Sequence, residues 1–235
     1  MHQVEFCGIA FKGLRKQDLL SDQGGLKQIV TVNAEAIVLA NEYPKYMEVI
    51  NKNIACFDGQ VPLWIARRKF AVYIEKLSGS DLIFDFAEMA ARARSRVFLL
   101  GGDEDSNADA CRKLAARFGT EIKGFAPPHE SYPFGAKTDE LIIKELTSFR
   151  PRVLLVAFGM PKQEFWISDH RDDLEALGIK WAIGVGGAFD FVSGREERAP
   201  RFLQHLGLEG VWRLTQRPGR WRRFLRVLRL FRYIT

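Results

Sequence analysis

The sequence predicts an α/β protein: a Rossmann-like, mostly parallel sheet with helices on both faces, followed by a C-terminal helical appendage. Three observations carry this. Short apolar runs alternate with amphipathic stretches of helical length, the pattern of a doubly wound sheet. Two of those runs, Val153–Phe158 and Trp181–Val185, are apolar throughout and end in glycines, as strands buried on both faces do before a ligand crevice. After Ser193 the alternation stops and an arginine-rich amphipathic pattern replaces it. The expected boundaries are an α/β domain over residues 1–194 and the appendage over residues 195–235.

Taken in order, Val4–Ala10 is a strand candidate, followed by a polar, glycine-punctuated loop over Lys12–Gly25. Gln28–Val32 reads as a strand, and Asn33 is placed to cap a helix over Ala34–Asn51. Ile54–Phe57 is a short strand stopped by Asp58-Gly59, and Pro62 suits the opening of another helix. Ser78-Gly79-Ser80-Asp81 precedes an amphipathic helix with Leu82, Phe86, Met89 and Ala90 on one face. Arg96–Leu100 is a strand ending at Gly101-Gly102, then a helix covers Asn107–Phe118. Thr120–Phe125 is a strand, Ala126–Gly135 a proline-rich loop, and Asp139–Phe149 a helix. In the appendage, Trp221, Phe224, Leu225, Leu228 and Phe231 recur at the spacing of one helical face, with Arg222, Arg223, Arg226 and Arg229 off that stripe.

Charge is uneven along the chain. The whole carries +6, from 35 basic and 29 acidic residues. Gly210–Thr235 holds 8 arginines and no acid, which leaves 27 basic against 29 acidic in the rest. The basicity therefore belongs to the tail, which is expected to meet an anionic surface. Its continuous apolar stripe fits a membrane-surface helix better than a nucleic-acid site, with docking on the body or on a second subunit as the plain alternative. The N-terminus, MHQVEFCGIAFKG, has neither a basic n-region nor a long apolar h-region, so no signal peptide is expected. No stretch approaches the roughly 20 apolar residues of a membrane span. Cys7, Cys56 and Cys111 are far apart and odd in number, which points to free thiols in a reducing, cytoplasmic compartment.

Several residues could carry chemistry, each beside a plainer reading. Asp58, at a strand end, could serve as a general base for a sugar hydroxyl or simply make an Asp-Gly turn. Thr31 and Asn33 point the same way from a strand end and could bind phosphate or sugar; equally, Asn33 is an N-cap and Thr31 a β-former. Gly184-Val185-Gly186-Gly187-Ala188-Phe189 approximates a dinucleotide fingerprint, but Phe189 stands at the third glycine position, so phosphate proximity is favoured over nicotinamide or flavin. Gln163 and Glu164, after Gly159, sit at a strand-to-helix turn suited to a uracil or sugar edge, or equally are a helix's first turn dressed with an acid. Asp103-Glu104-Asp105 has the form of a metal-holding DxD, yet its place at a helix start favours capping. The four histidines have no zinc spacing, and neither GxSxG nor a P-loop occurs.

Together these stretches resemble the WecG/TagA/CpsF family of bacterial glycosyltransferases. The matching segments are Thr31-Val32-Asn33-Ala34-Glu35, Phe57-Asp58-Gly59, Ser78-Gly79-Ser80-Asp81-Leu82 and Val97 to Gly102, then Phe158-Gly159-Met160-Pro161-Lys162-Gln163-Glu164-Phe165-Trp166. Gly184 to Asp190, Gly194, Arg198-Ala199-Pro200, Leu208-Glu209, Arg213-Leu214 and Arg217-Pro218 complete the ordered set. The resemblance implies an inverting, UDP-sugar-dependent hexosyltransferase, which would make residues 1–194 the catalytic domain. Its sugar would be an N-acetylhexosamine, its uronic acid or a hexose. The acceptor would be a sugar on a polyprenyl diphosphate, in surface-polysaccharide or cell-wall polymer synthesis. It implies no cofactor and no required metal, and a peripheral position on the inner face of the cell membrane through the tail. Asp58 matches the family's base, and Thr31 and Gln163 match active-site positions. Asn33, Gly159, Gly184, Gly186, Gly187 and Asp190 are the further substrate-binding candidates, and Arg198, Arg201, Arg213 and Arg217 those for the diphosphate and lipid. A soluble nucleotide-sugar enzyme acting on a small molecule, or a non-catalytic polyanion-binding protein, are the alternatives; homo-oligomerisation is left open.

Overall fold

A computed structural model describes residues 3–200, 202–203, 209–216 and 221–234. The chain is α/β, with eight strands among the described residues in a mostly parallel sheet, as the alternation of runs predicts. It divides into two compact units. One comprises Met1–Leu19, Val30–Ser78 and Glu196–Thr235, the other Leu20–Ile29 and Gly79–Arg195.

In the first unit, β1 (Val4–Phe6) and β2 (Ile9–Gly13) form an antiparallel hairpin with Val4 opposite Phe11. The sequence reading expected a single strand here. The reversal at Cys7 (φ 52°) and Gly8 (φ 75°) has positive φ at both central residues, the turn whose twist suits paired strands. After α1 (Lys16–Leu20) and β3 (Lys27–Val32), of which Lys27, Gln28 and Ile29 fall in the second unit, the helix expected over Ala34–Asn51 is two helices, α2 (Ala34–Glu42) and α3 (Pro44–Lys52). Pro44 is the cause. It has no N–H to donate and drives Tyr43 out of the helical region, to φ −132° and ψ 93°. β4 (Ile54–Phe57) runs parallel to β2, and α4 (Gln60–Lys69) follows. The strand order in this unit is β1-β2-β4-β3. Phe11 and Phe57 stack at 3.7 Å between centroids, with Phe6 tilted against both.

The tail belongs to this unit. Its described part is α11 (Glu209–Gln216), α12 (Trp221–Leu228) and a 3₁₀ turn, Arg229–Arg232. It is held on α2: the Arg226 guanidinium bonds Glu35 at 2.9 Å, that of Arg229 bonds Glu42 at 2.6 Å, and Leu230 is buried. Four residues of the apolar stripe are exposed, and the side chains of Arg222, Arg223 and Phe224 lie outside the described residues. Trp221, Leu225, Leu228 and Phe231 are 53%, 49%, 52% and 67% exposed.

In the second unit come α5 (Gly79–Arg92), β5 (Val97–Gly101), α6 (Glu104–Phe118), β6 (Ile122–Phe125) and α7 (Ala136–Phe149). They are followed by β7 (Val153–Ala157), α8 (Lys162–Asp169), α9 (Arg171–Ala176), β8 (Trp181–Gly184) and α10 (Ala188–Ser193). The strand order is β8-β7-β5-β6, all parallel, with Val97 opposite Val153 and Val153 opposite Trp181. Phe98, Leu100, Leu154 and Val156 pack with Ile142, Leu146, Trp166 and Leu174 in a closed apolar cluster. That register brings the carboxyl ends of β5, β7 and β8, and the glycines after them, to one edge of the sheet. All three cysteines are free thiols, with Cys56 buried.

Candidate active site

In the first unit the site is the carboxyl edge of β3 and β4. The Asp58 N–H donates to the Val32 carbonyl at 2.9 Å, extending the strand pairing one residue beyond β4 and fixing where Asp58 sits. Gly59 then turns the chain with φ 95°, open only to glycine at low cost, and a Cβ there would lie 3.8 Å from Asn33 Cβ. The Asp-Gly turn and the Thr31-Val32-Asn33 strand end are thus neighbours. Asp58 is half-buried and Thr31 is buried. Asn33 is the N-cap of α2, its side-chain oxygen accepting from the Ala36 N–H at 3.0 Å. Its plain reading holds locally, and it leaves the residue at the strand end beside Gly59.

Arg198 is half-buried in the same unit. The stretch around it is tied to α11: the Glu197 N–H donates to Gln216 Oε1 at 3.0 Å, and Trp212 Nε1 and Gln216 Nε2 donate to the Glu197 carbonyl. Arg213 is in that helix, but its side chain, like Arg201 and Arg217, lies outside the described residues.

In the second unit the site is the pair of turns after β7 and β8. Gly159 has φ 79° and Gly186 φ 54°. One side chain joins them. Gln163, 3% exposed in the first turn of α8, accepts through Oε1 from the Gly159 N–H and the Gly186 N–H, both at 3.2 Å. Its Nε2 donates to Glu164 Oε1 at 2.7 Å. Two of the N–H groups expected to face a phosphate are therefore held by protein, and the Gln163 amide is engaged beneath the turns. Glu164 is itself 1% exposed, and burial pushes its carboxyl up to about 7, opposed by the bond from Gln163. Gln28 of β3 donates from Nε2 to the Glu164 carbonyl at 2.8 Å.

Gly184 makes room for this pair. A Cβ on it would stand 2.5 Å from Gln163 Nε2 and 2.8 Å from Glu164 Oε1. Gly187 precedes α10, and Asp190 is half-buried in the first turn of that helix. Phe189 is buried, with its ring where a Cβ on Gly102 would reach within 2.9 Å of it. The third position of the glycine fingerprint is thus a packing position.

The acids of the DxD-like stretch are bound by a guanidinium. Arg195 donates to Asp103 at 2.8 and 3.0 Å and to Asp105 at 2.7 Å, and Asp103 also caps α6. Among the described residues no group of three His, Cys, Asp or Glu side chains could hold a metal ion, and no helix is long and apolar enough to cross a membrane. The sequence reading did not single out Gln28 or Arg195. A glutamine next to the apolar pair Ile29-Val30 within a strand candidate was the available signal for the first; nothing local marks the second.

The glycosyl transferase WecG/TagA/CpsF family matches the chain over residues 4–235, and so spans both edges just described. The chain belongs to this glycosyltransferase family. Membership in the WecG/TagA/CpsF family gives it a glycosyltransferase role in cell-surface polymer synthesis, with a nucleotide-sugar donor and a lipid-linked acceptor in general. The family's match runs through the Asp58 and Gly159 turns and into the tail, the same stretches that carry the sequence resemblance.

Proposed function

We propose that this WecG/TagA/CpsF member is an inverting hexosyltransferase that moves an N-acetylhexosamine, its uronic acid or a hexose from a UDP-sugar to a polyprenyl-diphosphate-linked sugar. The observation that carries the reading is the Asp58-Gly59 turn, held by Val32 and set beside Asn33. It supplies a half-buried carboxylate at a sheet's ligand edge, where a general base for a hydroxyl is needed. The acceptor hydroxyl oxygen attacks the anomeric carbon from the face opposite the nucleotide and loses its proton to Asp58. The bond from that carbon to the diphosphate oxygen breaks, and UDP leaves with the electron pair.

Thr31 and Asn33 bind the sugars beside the base. The turns at Gly159 and at Gly184, Gly186 and Gly187, with Asp190, receive the nucleotide sugar, and Gln163 holds those turns in shape. Arg198, Arg201, Arg213 and Arg217 stabilise the charge that develops on the diphosphate, the task that a metal ion performs elsewhere. Asp103 and Asp105 are spoken for by Arg195, so the reading gives them no ion to hold. Residues 1–194 act as the catalytic domain and residues 195–235 as its membrane-associating part. The exposed apolar residues of the stripe, with Arg226 and Arg229 turned to α2, support a peripheral seat on the inner face of the cell membrane.

The test is a donor screen with full-length protein, a short-chain polyprenyl-diphosphate-linked sugar and a panel of UDP-sugars, with and without EDTA. Disaccharide-lipid from one donor, undiminished by EDTA, is expected. Product that requires a divalent ion would overturn the metal-free part. UDP-sugar binding without any transfer would point to a different acceptor.

A further inference from the structure

The proposed mechanism gives Glu164 no task, yet the residue is bonded to the side chain that joins both glycine turns. Its position is costly: a carboxyl group excluded from water destabilises a protein unless it is paired or neutral. Oε1 accepts from Gln163, but Oε2 is buried with no hydrogen-bond partner. Gln28, whose Nε2 meets the Glu164 carbonyl, has a buried Oε1 that also lacks a partner. A proton on the Glu164 carboxyl would convert its unpartnered acceptor into a donor and remove the buried charge.

We propose that Glu164 is a positioning residue which, as a neutral carboxylic acid, locks the Gln163 amide with its oxygen toward the Gly159 and Gly186 N–H groups. An amide has two orientations differing by a half-turn, and only one places its carbonyl against both N–H groups. Glu164 Oε1 selects that one by accepting from Nε2. Gly184 is the remaining requirement, since any side chain there would occupy the space of both groups. Gln163 on α8 donates to the carboxyl, the Gly184 backbone on β8 lies beside Oε1, and Gln28 on β3 bonds the main-chain carbonyl of the same residue; none of these groups is charged, and burial is the leading cause of the raised proton affinity. The inference rests on the reading that these turns receive the donor, and it deepens that reading by naming what holds them in register.

The experiment compares full-length wild type, E164Q and E164L by amide hydrogen exchange at Gly159 and Gly186, read by NMR, and by calorimetry with UDP-GlcNAc. Glutamine has the same shape as a neutral glutamic acid and keeps one acceptor and one donor; leucine has neither. E164L is expected to speed exchange at both amides by about tenfold, the weight of one hydrogen bond, with β5 amides unchanged as the control for folding. E164Q is expected to stay within about twofold of wild type, and UDP-GlcNAc affinity to fall in E164L and return in E164Q. Unchanged exchange at Gly159 and Gly186 in E164L would overturn the proposal whatever happens to binding. So would E164Q exchanging about tenfold faster than wild type at both amides, a comparison that still decides the matter if E164L does not fold. Exchange that moves as expected while all three proteins bind UDP-GlcNAc equally would uphold the positioning role and overturn the donor reading of these turns.

Discussion

Replacing Glu164 by glutamine should make the protein's stability less dependent on pH, and the structure sets both the sign and the size. Burial raises the Glu164 carboxyl from an ordinary 4.5 to about 7. A group whose folded-state value is raised binds more protons in the folded than in the unfolded chain throughout that window. Its stabilising effect is fully present below the unfolded value and is lost as pH rises through the folded one. A rise from 4.5 to about 7, at about 1.4 kcal/mol for each tenfold change in proton affinity, gives an upper figure of roughly 3 kcal/mol lost from wild type between about pH 4.5 and pH 7. E164Q has no such proton to lose. Urea unfolding of both proteins at about pH 5 and about pH 8 isolates the effect, because the other titrating groups cancel in the double difference. E164Q should gain up to about 3 kcal/mol on wild type between the two conditions. A difference that stays constant within about 0.5 kcal/mol would show that Glu164 binds its proton no more tightly folded than unfolded, and the neutral-carboxyl argument would fail.

Three further outcomes are expected. D58N should keep its melting temperature and its UDP-sugar binding but lose about 100-fold to 10,000-fold in turnover, the usual weight of a general base; near wild-type turnover would remove Asp58 from that role. G184A drives a methyl against Gln163 and Glu164 and should lower stability by about 1–3 kcal/mol along with UDP-sugar affinity, whereas an unperturbed melt and affinity would mean that this packing is slack. Exchanging exposed Leu228 and Phe231 together for serine should weaken sedimentation with anionic phospholipid vesicles by at least about tenfold while leaving the melt unchanged. Equal vesicle binding would place the lipid contact elsewhere.

How much of this was legible in the sequence depends on the range of the interaction involved. The strands Ile54–Phe57 and Val153–Ala157, and the helix ending at Phe149, follow from local patterning and match within a residue or so. The helix break at Tyr43 was also legible, because Pro44 forbids continuation, but the amphipathic pattern on either side outweighed it. The hairpin at Cys7-Gly8 was harder, since a cysteine with positive φ is not a usual turn signal. The Asp58, Asn33 and Gly159 positions were visible as strand ends carrying polar or glycine residues. What those residues touch was not. That Gln163 spends its carbonyl on Gly159 and Gly186, that Arg195 claims Asp103 and Asp105 across some ninety residues of chain, and that Glu164 is wholly enclosed are long-range facts with no local signature. The tail shows the same division: its stripe was plain in the spacing, and its anchorage on Glu35 and Glu42, far away in the chain, was not.

That anchorage bears on how the protein can be handled in the laboratory. Glu35 stands two residues from Asn33, in the first turn of the helix that Asn33 caps, and its side chain is only 13% exposed. Trimming the hydrophobic C-terminus to improve solubility would take Arg226 and Arg229 with it. It would strip Glu35, next to the residues proposed to grip the sugars, of its counter-charge. A shortened protein is therefore an altered catalyst, and its activity on soluble acceptors would report the loss of those arginines as well as the loss of the membrane.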